Sequence, residues 1–137
     1  MPDYALCTRT PTVDEYHRLR SEAGLSPRSI EASRAGLPNS VVAVVAEHRG
    51  QAVGMGRIVG DGGLFFQVVD IAVEPAHQGK GLGKRIMERL MEELRRRVPA
   101  EAYVSLIADG QANRLYAQFG FEPTAPESIG MAVWLRV

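Results

Sequence analysis

The stretch LFFQVVDIAVEPAHQGKGLGKRIMERLMEELRRRV, residues 64–98, decides the fold. Its first ten residues, LFFQVVDIAV (64–73), are apolar and β-branched and read as a strand. Glu74-Pro75 ends that strand, because proline has no N–H for a ladder. From Leu82 the period changes. Leu82, Ile86, Met87, Leu90, Met91, Leu94 and Val98 recur at helical spacing, and Pro99 stops the helix. Between the two lies Gln78-Gly79-Lys80-Gly81-Leu82-Gly83-Lys84. Glycines let backbone N–H groups approach a ligand without a Cβ in the way. The helix adds free N–H groups and a positive dipole end. Together these make an anion site, typically for phosphate. A Gly-rich corner ahead of an amphipathic helix would not need three alternating glycines beside two lysines.

Upstream, VVAVVAE (41–47) and QAVGMGRIVG (51–60) are two more strands. Arg49-Gly50 and Asp61-Gly62-Gly63 are tight turns, so the three strands form an antiparallel meander. Nearer the N-terminus, Tyr4 to Thr8 reads as a short strand. Thr12-Val13-Asp14-Glu15 is a capping box, followed by an apolar stripe of Val13, Tyr16, Leu19 and Ala23, with Gly24 as C′. Ser26-Pro27 opens a second short helix with Pro at N1, closed by Gly36. Downstream, YVSLIA (103–108) is a strand, and Asp109 N-caps a helix through Phe119 with Gly120 as its C′. Phe121 to Thr124 and MAVWLRV (131–137) read as two last strands.

The order is β-α-α-β-β-β-α-β-α-β-β. The strand at 64–73, the long helix and the strand at 103–108 imply a right-handed parallel crossover. The expected fold is α/β (α+β): one domain, residues 1–137, with a mixed, mostly antiparallel sheet of about seven strands flanked by four helices.

Composition is that of an ordinary globular chain, with 45% hydrophobic and 23% charged residues. Cys7 stands alone, and His17, His48 and His77 are scattered, so neither a disulfide nor a zinc site is expected. The segment MPDYALCTRT is no signal peptide, and no apolar run nears the ~20 residues of a membrane helix. A cytoplasmic protein without membrane or nucleic-acid partners is expected. The 16 Lys+Arg balance 16 Asp+Glu, but unevenly. Residues 77–97 hold seven basic and three acidic side chains, while the rest hold nine against thirteen. A positive element thus faces one phosphorylated ligand, and the acidic remainder suits a cationic acceptor.

Two phosphate-loop patterns fail here. A P-loop needs G-x-x-x-x-G-K-[ST], but Gly83-Lys84 is followed by Arg85, and Gln78 stands where the first glycine belongs. A dinucleotide fingerprint would put its third glycine at Lys84. What remains is [Q/R]-x-x-G-x-[G/A], met by Gln78, Gly81 and Gly83. In its setting of strand, AVEP, loop and long helix, this resembles the acetyl-CoA pyrophosphate loop of the GNAT superfamily of N-acetyltransferases.

NRLYAQFGF (113–121) is similar to that superfamily's other signature, an Asn and a Tyr three residues apart followed by Gly-Phe. The spacing puts both on one helix face. The resemblance implies that Asn113 contacts the pantetheine arm and that Tyr116 is the general acid for the departing thiolate. A phenol with a pKa near ~10 holds its proton at neutral pH. Two splayed strands would hold pantetheine between them. The backbone of Ile71, Ala72 and Val73 would pair with its amides as an added strand does. An N–H near Val73 would stabilise the oxyanion. Implied cofactor contacts are therefore Ile71, Ala72, Val73, Gln78, Gly79, Lys80, Gly81, Leu82, Gly83, Lys84, Asn113 and Tyr116. Phe65 and Phe66 straddle both faces of their strand and read as core.

An amine must lose a proton before attack. The histone-acetylating subgroup uses a Glu whose position here is Gln67, and an amide is no base. Arylalkylamine acetyltransferases use a His pair at positions matching Gln67 and Val69. The nearest carboxylate is Asp70, which is either a base or amine contact or a carboxylate paired with an Arg. Glu47 and His48 read as solvated turn residues, His77 as phosphate-side or solvated, and Arg95-Arg96-Arg97 as a solvated helix end. Residues 13–40 and 124–130, where the family builds its acceptor pocket, offer Tyr16, Arg20, Arg28, Glu31 and Arg34.

The resemblance implies transfer of the acetyl group of acetyl-CoA to a primary amine of a small molecule, directly in a ternary complex and without a metal. A non-catalytic acyl-CoA sensor and, less favoured because of Gln67, a protein-lysine acetyltransferase are the alternatives. Dimerisation is common in the family, so a homodimer is a further implied state.

Overall fold

The computed structural model describes residues 3–136. It has two compact units, one ending at Leu106 and one starting at Ile107. The first holds one sheet of β1 (Tyr4–Cys7), β2 (Val42–His48), β3 (Gln51–Gly60), β4 (Phe65–Val73) and β5 (Tyr103–Ser105), in that spatial order. The first four pair antiparallel, and β5 runs parallel to β4, as the crossover requires. Its helices are α1 (Val13–Glu22), α2 (Ile30–Gly36) and α3 (Leu82–Arg97).

α1 starts where expected. The Thr12 hydroxyl accepts from the Glu15 N–H at 3.1 Å and the Glu15 carboxylate accepts from the Thr12 N–H at 2.9 Å. Such a cap is worth ~1 kcal/mol. α2 starts later than Ser26-Pro27 suggests. Ser29 is its N-cap, accepting from the Ala32 N–H, and the Ser26 carbonyl is taken by the Arg20 side chain instead.

The sheet is covered on both faces. Tyr16 and Leu19 of α1 pack with Leu37, Val45, Met55 and Ala72. On the other face α3 buries Leu82, Ile86, Met87, Leu90, Met91 and Leu94. Each such side chain contributes roughly 1.5–3 kcal/mol. α3 lies so close to β3 that a Cβ at Gly56 would meet Leu90 Cδ1 at 2.8 Å and Ile71 Cδ1 at 2.6 Å. β2, buried on both faces, is a continuous apolar run rather than an alternating one.

The second unit contains α4 (Asn113–Ala117). It is shorter than the helix expected from Asp109 to Phe119, with Ala112 at its N-cap. Its Asp109 carbonyl accepts from the Ala112 N–H in a preceding turn.

The sheet has five strands, not about seven. Residues 121–124 and 131–136 form no strand, and Val137 lies outside the described residues. An alternating pattern nominates a strand, but a ladder also needs a neighbour, and these residues have none. Met131, Val133 and Leu135 stay 84–89% exposed. Phe66 is buried as expected; Phe65 is not, and its ring meets Tyr103 edge-on at the surface.

No helix among the described residues is long and apolar enough to cross a membrane.

Candidate active site

β4 carries the site. It pairs with β5 only at Phe65, Phe66 and Gln67, because β5 stops at Ser105 rather than at residue 108. Beyond Gln67, β4 runs on to Val73 with that edge open. Ile71, Ala72 and Val73 lie on this stretch, where an extended ligand can add as a strand. A bulge interrupts the same stretch. The β3 register jumps between Met55 and Arg57, and Asp70 takes a φ of 60°. Positive φ is uncommon for a side-chain-bearing residue and clusters at functional sites.

The loop after β4 has the geometry its glycines predict. Gly79 and Gly81 adopt φ of 76° and 78°, which glycine takes without Cβ strain. Nothing lies within 4 Å of where a Cβ would stand on either. Gly81 is the N-cap of α3 and no side chain caps the helix, so its first N–H groups are available to a ligand. Gln78, Lys80 and Lys84 are exposed; Gln78 donates from Nε2 to the Val73 carbonyl at 2.9 Å and ties the loop to β4. Leu82 is buried in the core, so its contribution is its backbone N–H. One turn into α3, the Arg85 Nη1 is buried without a hydrogen-bond partner. An unpaired buried donor is costly, and a phosphate oxygen is the acceptor it lacks. These features fit a pyrophosphate.

Asp70 is placed as the Arg-paired carboxylate. Arg20 donates from Nη1 to its Oδ1 at 2.5 Å, Arg57 from Nε to Oδ2 at 2.9 Å, and the Tyr16 hydroxyl to Oδ2 at 3.1 Å. The carboxylate is 6% exposed. A base there would have to release two guanidinium bonds to take a proton. Both guanidinium groups also lie over the Tyr16 ring, at 5.7 and 5.8 Å from its centroid. Burial, and then the Asp70 charge, raise the Tyr16 pKa, so the phenol keeps its proton and donates.

Arg57 was not among the sequence candidates, although a cation inside a buried strand signals a buried partner. It is one wall of a cavity of about 200 Å³ between α1, α2 and β3. Tyr16, Arg28, Ser33 and Leu37 are others. The Ser33 hydroxyl lies 2.9 Å from His17 Nε2 and donates to the Ser29 carbonyl.

In the second unit, Asn113 is exposed and Tyr116 half-buried, one turn apart on α4. Burial, and then the Asp109 charge, raise the Tyr116 pKa. The phenol therefore stays protonated, the state a proton donor needs. Gly120 closes the turn at φ 88°, and Phe121 meets the Tyr116 ring at 6.4 Å.

The remaining expected groups have structural partners. Glu47 pairs with Arg9, and the Tyr4 hydroxyl lies 2.5 Å from His77 Nδ1, with His48 stacked beside both. Arg96 and Arg97 pair with Glu93 on α3. Among the described residues no group of three His, Cys, Asp or Glu could hold a metal ion.

A family model of the acetyltransferase (GNAT) domain matches residues 39–123, covering most of the sheet, the loop and α4. A solved structure of a Staphylococcus aureus protein of unknown function, described as a probable acetyltransferase, superposes with a TM-score of 0.91 at 43% identity, covering 96% of this chain and 99% of that one. Serotonin N-acetyltransferase 2 of Oryza sativa, a chloroplastic protein, is 31% identical over 83% of this chain and 58% of its own length. Histone acetyltransferase TAP1 of Glycine max is 35% identical over 60% of this chain and 34% of its own. The chain spans about a third of the length of that histone acetyltransferase. The open β4 edge, the bulge, the uncapped glycine loop and the matched residues converge: the chain belongs to the GNAT acetyltransferase family.

Proposed function

We propose that the protein transfers the acetyl group of acetyl-CoA to a primary amine of a small molecule. One observation carries the reading. The N-terminus of α3 is left without a side-chain cap behind two left-handed glycines, with a buried guanidinium nitrogen lacking an acceptor nearby on the helix. Bound acetyl-CoA would supply an activated thioester. Backbone N–H groups of residues 79–84 would hold its pyrophosphate, with Lys80, Lys84 and Arg85 adding charge. The β4 edge at Ile71, Ala72 and Val73 would hold the pantetheine arm, joined by Asn113. Tyr116, protonated at neutral pH, is the general acid in this reading.

With Asp70 committed to two arginines, the reading assigns no side chain as base. The acceptor reacts as its free amine, so kcat/KM is expected to rise tenfold per pH unit up to the acceptor's own pKa. A plateau near neutral pH for an amine of pKa about 10 would instead reveal a base. A screen of primary amines for CoA release tests the activity. Tyr116→Phe should lower kcat by about 100-fold while CoA affinity stays near the wild-type value; an unchanged kcat removes Tyr116 from the role.

A second reading, a non-catalytic acyl-CoA sensor, is favoured by the same saturation of Asp70. Tight acetyl-CoA binding with no release on any amine would select it.

A further inference from the structure

The cavity beside the bulge has a charge that the overall composition does not suggest. The chain outside residues 77–97 is acidic. Yet both charged residues lining this cavity are arginines, Arg28 and Arg57, and no carboxylate is among its lining residues. Behind the wall, Asp70 is shared between Arg57 and Arg20. The node and cavity together hold three guanidinium groups against one carboxylate. Arg57 is also aimed. Its Nε is fixed by Asp70 at 2.9 Å and its Nη1 by the Ser40 hydroxyl at 2.8 Å. Nη2 is the nitrogen that has no protein acceptor among the described residues. Arg28 enters from the other side, its Nη1 donating to the Ser26 hydroxyl at 2.7 Å. The Tyr16 ring and Leu37 give the cavity an apolar floor. Tyr16 and Arg57 line the cavity and also bond Asp70 at the β4 bulge. A ligand in the cavity is therefore anchored beside the strand that the acetyltransferase reading gives to pantetheine.

We propose that this cavity binds an anionic group, a carboxylate or a phosphate monoester, carried by the acceptor, so that the substrate is an amine with an acidic tail. Guanidinium forks suit both oxyanions, and the ~200 Å³ cavity has room for such a group with a few carbons. A purely cationic or aromatic amine would leave the two arginines unpaired on binding. This inference rests on the acetyltransferase reading of the site.

The test compares three acceptors of similar length: β-alanine, O-phosphoethanolamine and propylamine. One of the two acidic amines is expected to exceed propylamine by at least tenfold in kcat/KM, mainly through KM. The better of the two identifies the oxyanion. Arg28→Gln should shrink that preference about tenfold, and Arg57→Lys should shrink it further, since lysine cannot form the fork. Equal turnover of all three acceptors, or a preference unmoved by both substitutions, overturns the proposal and leaves the acetyltransferase reading standing. If acetyl-CoA binds but no acceptor reacts, isothermal titration with methyl phosphate and with acetate, the CoA site saturated, decides the cavity directly. Arg28-dependent binding upholds the anion site while the amine reading fails. No such binding overturns the anion site as well.

Discussion

The Asp70 node and the glycine loop lie at the bulge of β4 and just beyond its end, and they are built on opposite plans. At the node every strong group is answered: two guanidinium groups and a phenol converge on one carboxylate. At the loop, donors are left over: α3 has no side-chain cap, and Arg85 Nη1 is buried without an acceptor. The first arrangement holds the chain together. The second leaves bonding capacity that only a ligand can take up. Polar saturation thus separates structure from function here better than charge does, since both regions are rich in arginine or lysine.

Substitutions at the two regions should move stability in opposite directions. The largest effect is expected for Asp70→Ala, which leaves Arg20 and Arg57 buried without their anion. Removing one partner of a buried pair costs about 3–5 kcal/mol, read as a lower denaturation midpoint at constant slope. A change near zero would show that the node carries no structural load. Arg85→Met should do the reverse in the free protein. It removes an unsatisfied donor while keeping the aliphatic stem, so stability is expected to rise by about 1 kcal/mol, while acetyl-CoA affinity falls about tenfold. A loss of stability would mean that Arg85 is a structural group like those at the node.

The smallest effect concerns acid. Arg9 pairs with Glu15 at 2.8 Å and with Glu47 at 3.1 Å. The Arg9 bond is the main cause holding the Glu15 pKa down at about 2 against a usual 4.5. A depressed carboxylate pKa contributes stability above pH 4.5, lost as pH falls toward 2. For a partly exposed pair this is under ~1 kcal/mol. Glu15→Gln should flatten that acid limb, and an unchanged slope would show that the pair contributes nothing.

What the sequence discloses follows from range. The capping box at Thr12 and Glu15, the Arg49-Gly50 turn and the α3 stripe rest on neighbours three or four residues apart, so pattern alone finds them. The β3 limits and the α3 start agree with the structure to the residue. The Asp70 node does not yield to such reading, because Arg20 lies 50 residues away and Arg57 thirteen. A buried Arg in a strand announces that a partner exists, but not which of 16 acids it is. The C-terminal segments mislead for the same reason: residues 131–136 have a strand's alternation, and the sheet's own edge residues decide whether it is used. The loop was legible because glycine's role there is local, while the acceptor cavity, drawn from α1, α2 and β3, was not.

Isothermal titration of acetyl-CoA into the wild type and Gly81→Trp tests the central claim most directly. Gly81 holds φ 78° with open space where a Cβ would stand, so an indole would fill the cradle before α3. The wild type is expected to bind one acetyl-CoA per chain, and the variant, with its fold verified by circular dichroism, to lose at least about 100-fold in affinity. Absence of binding by the wild type, or equal binding by a folded Gly81→Trp, would contradict it.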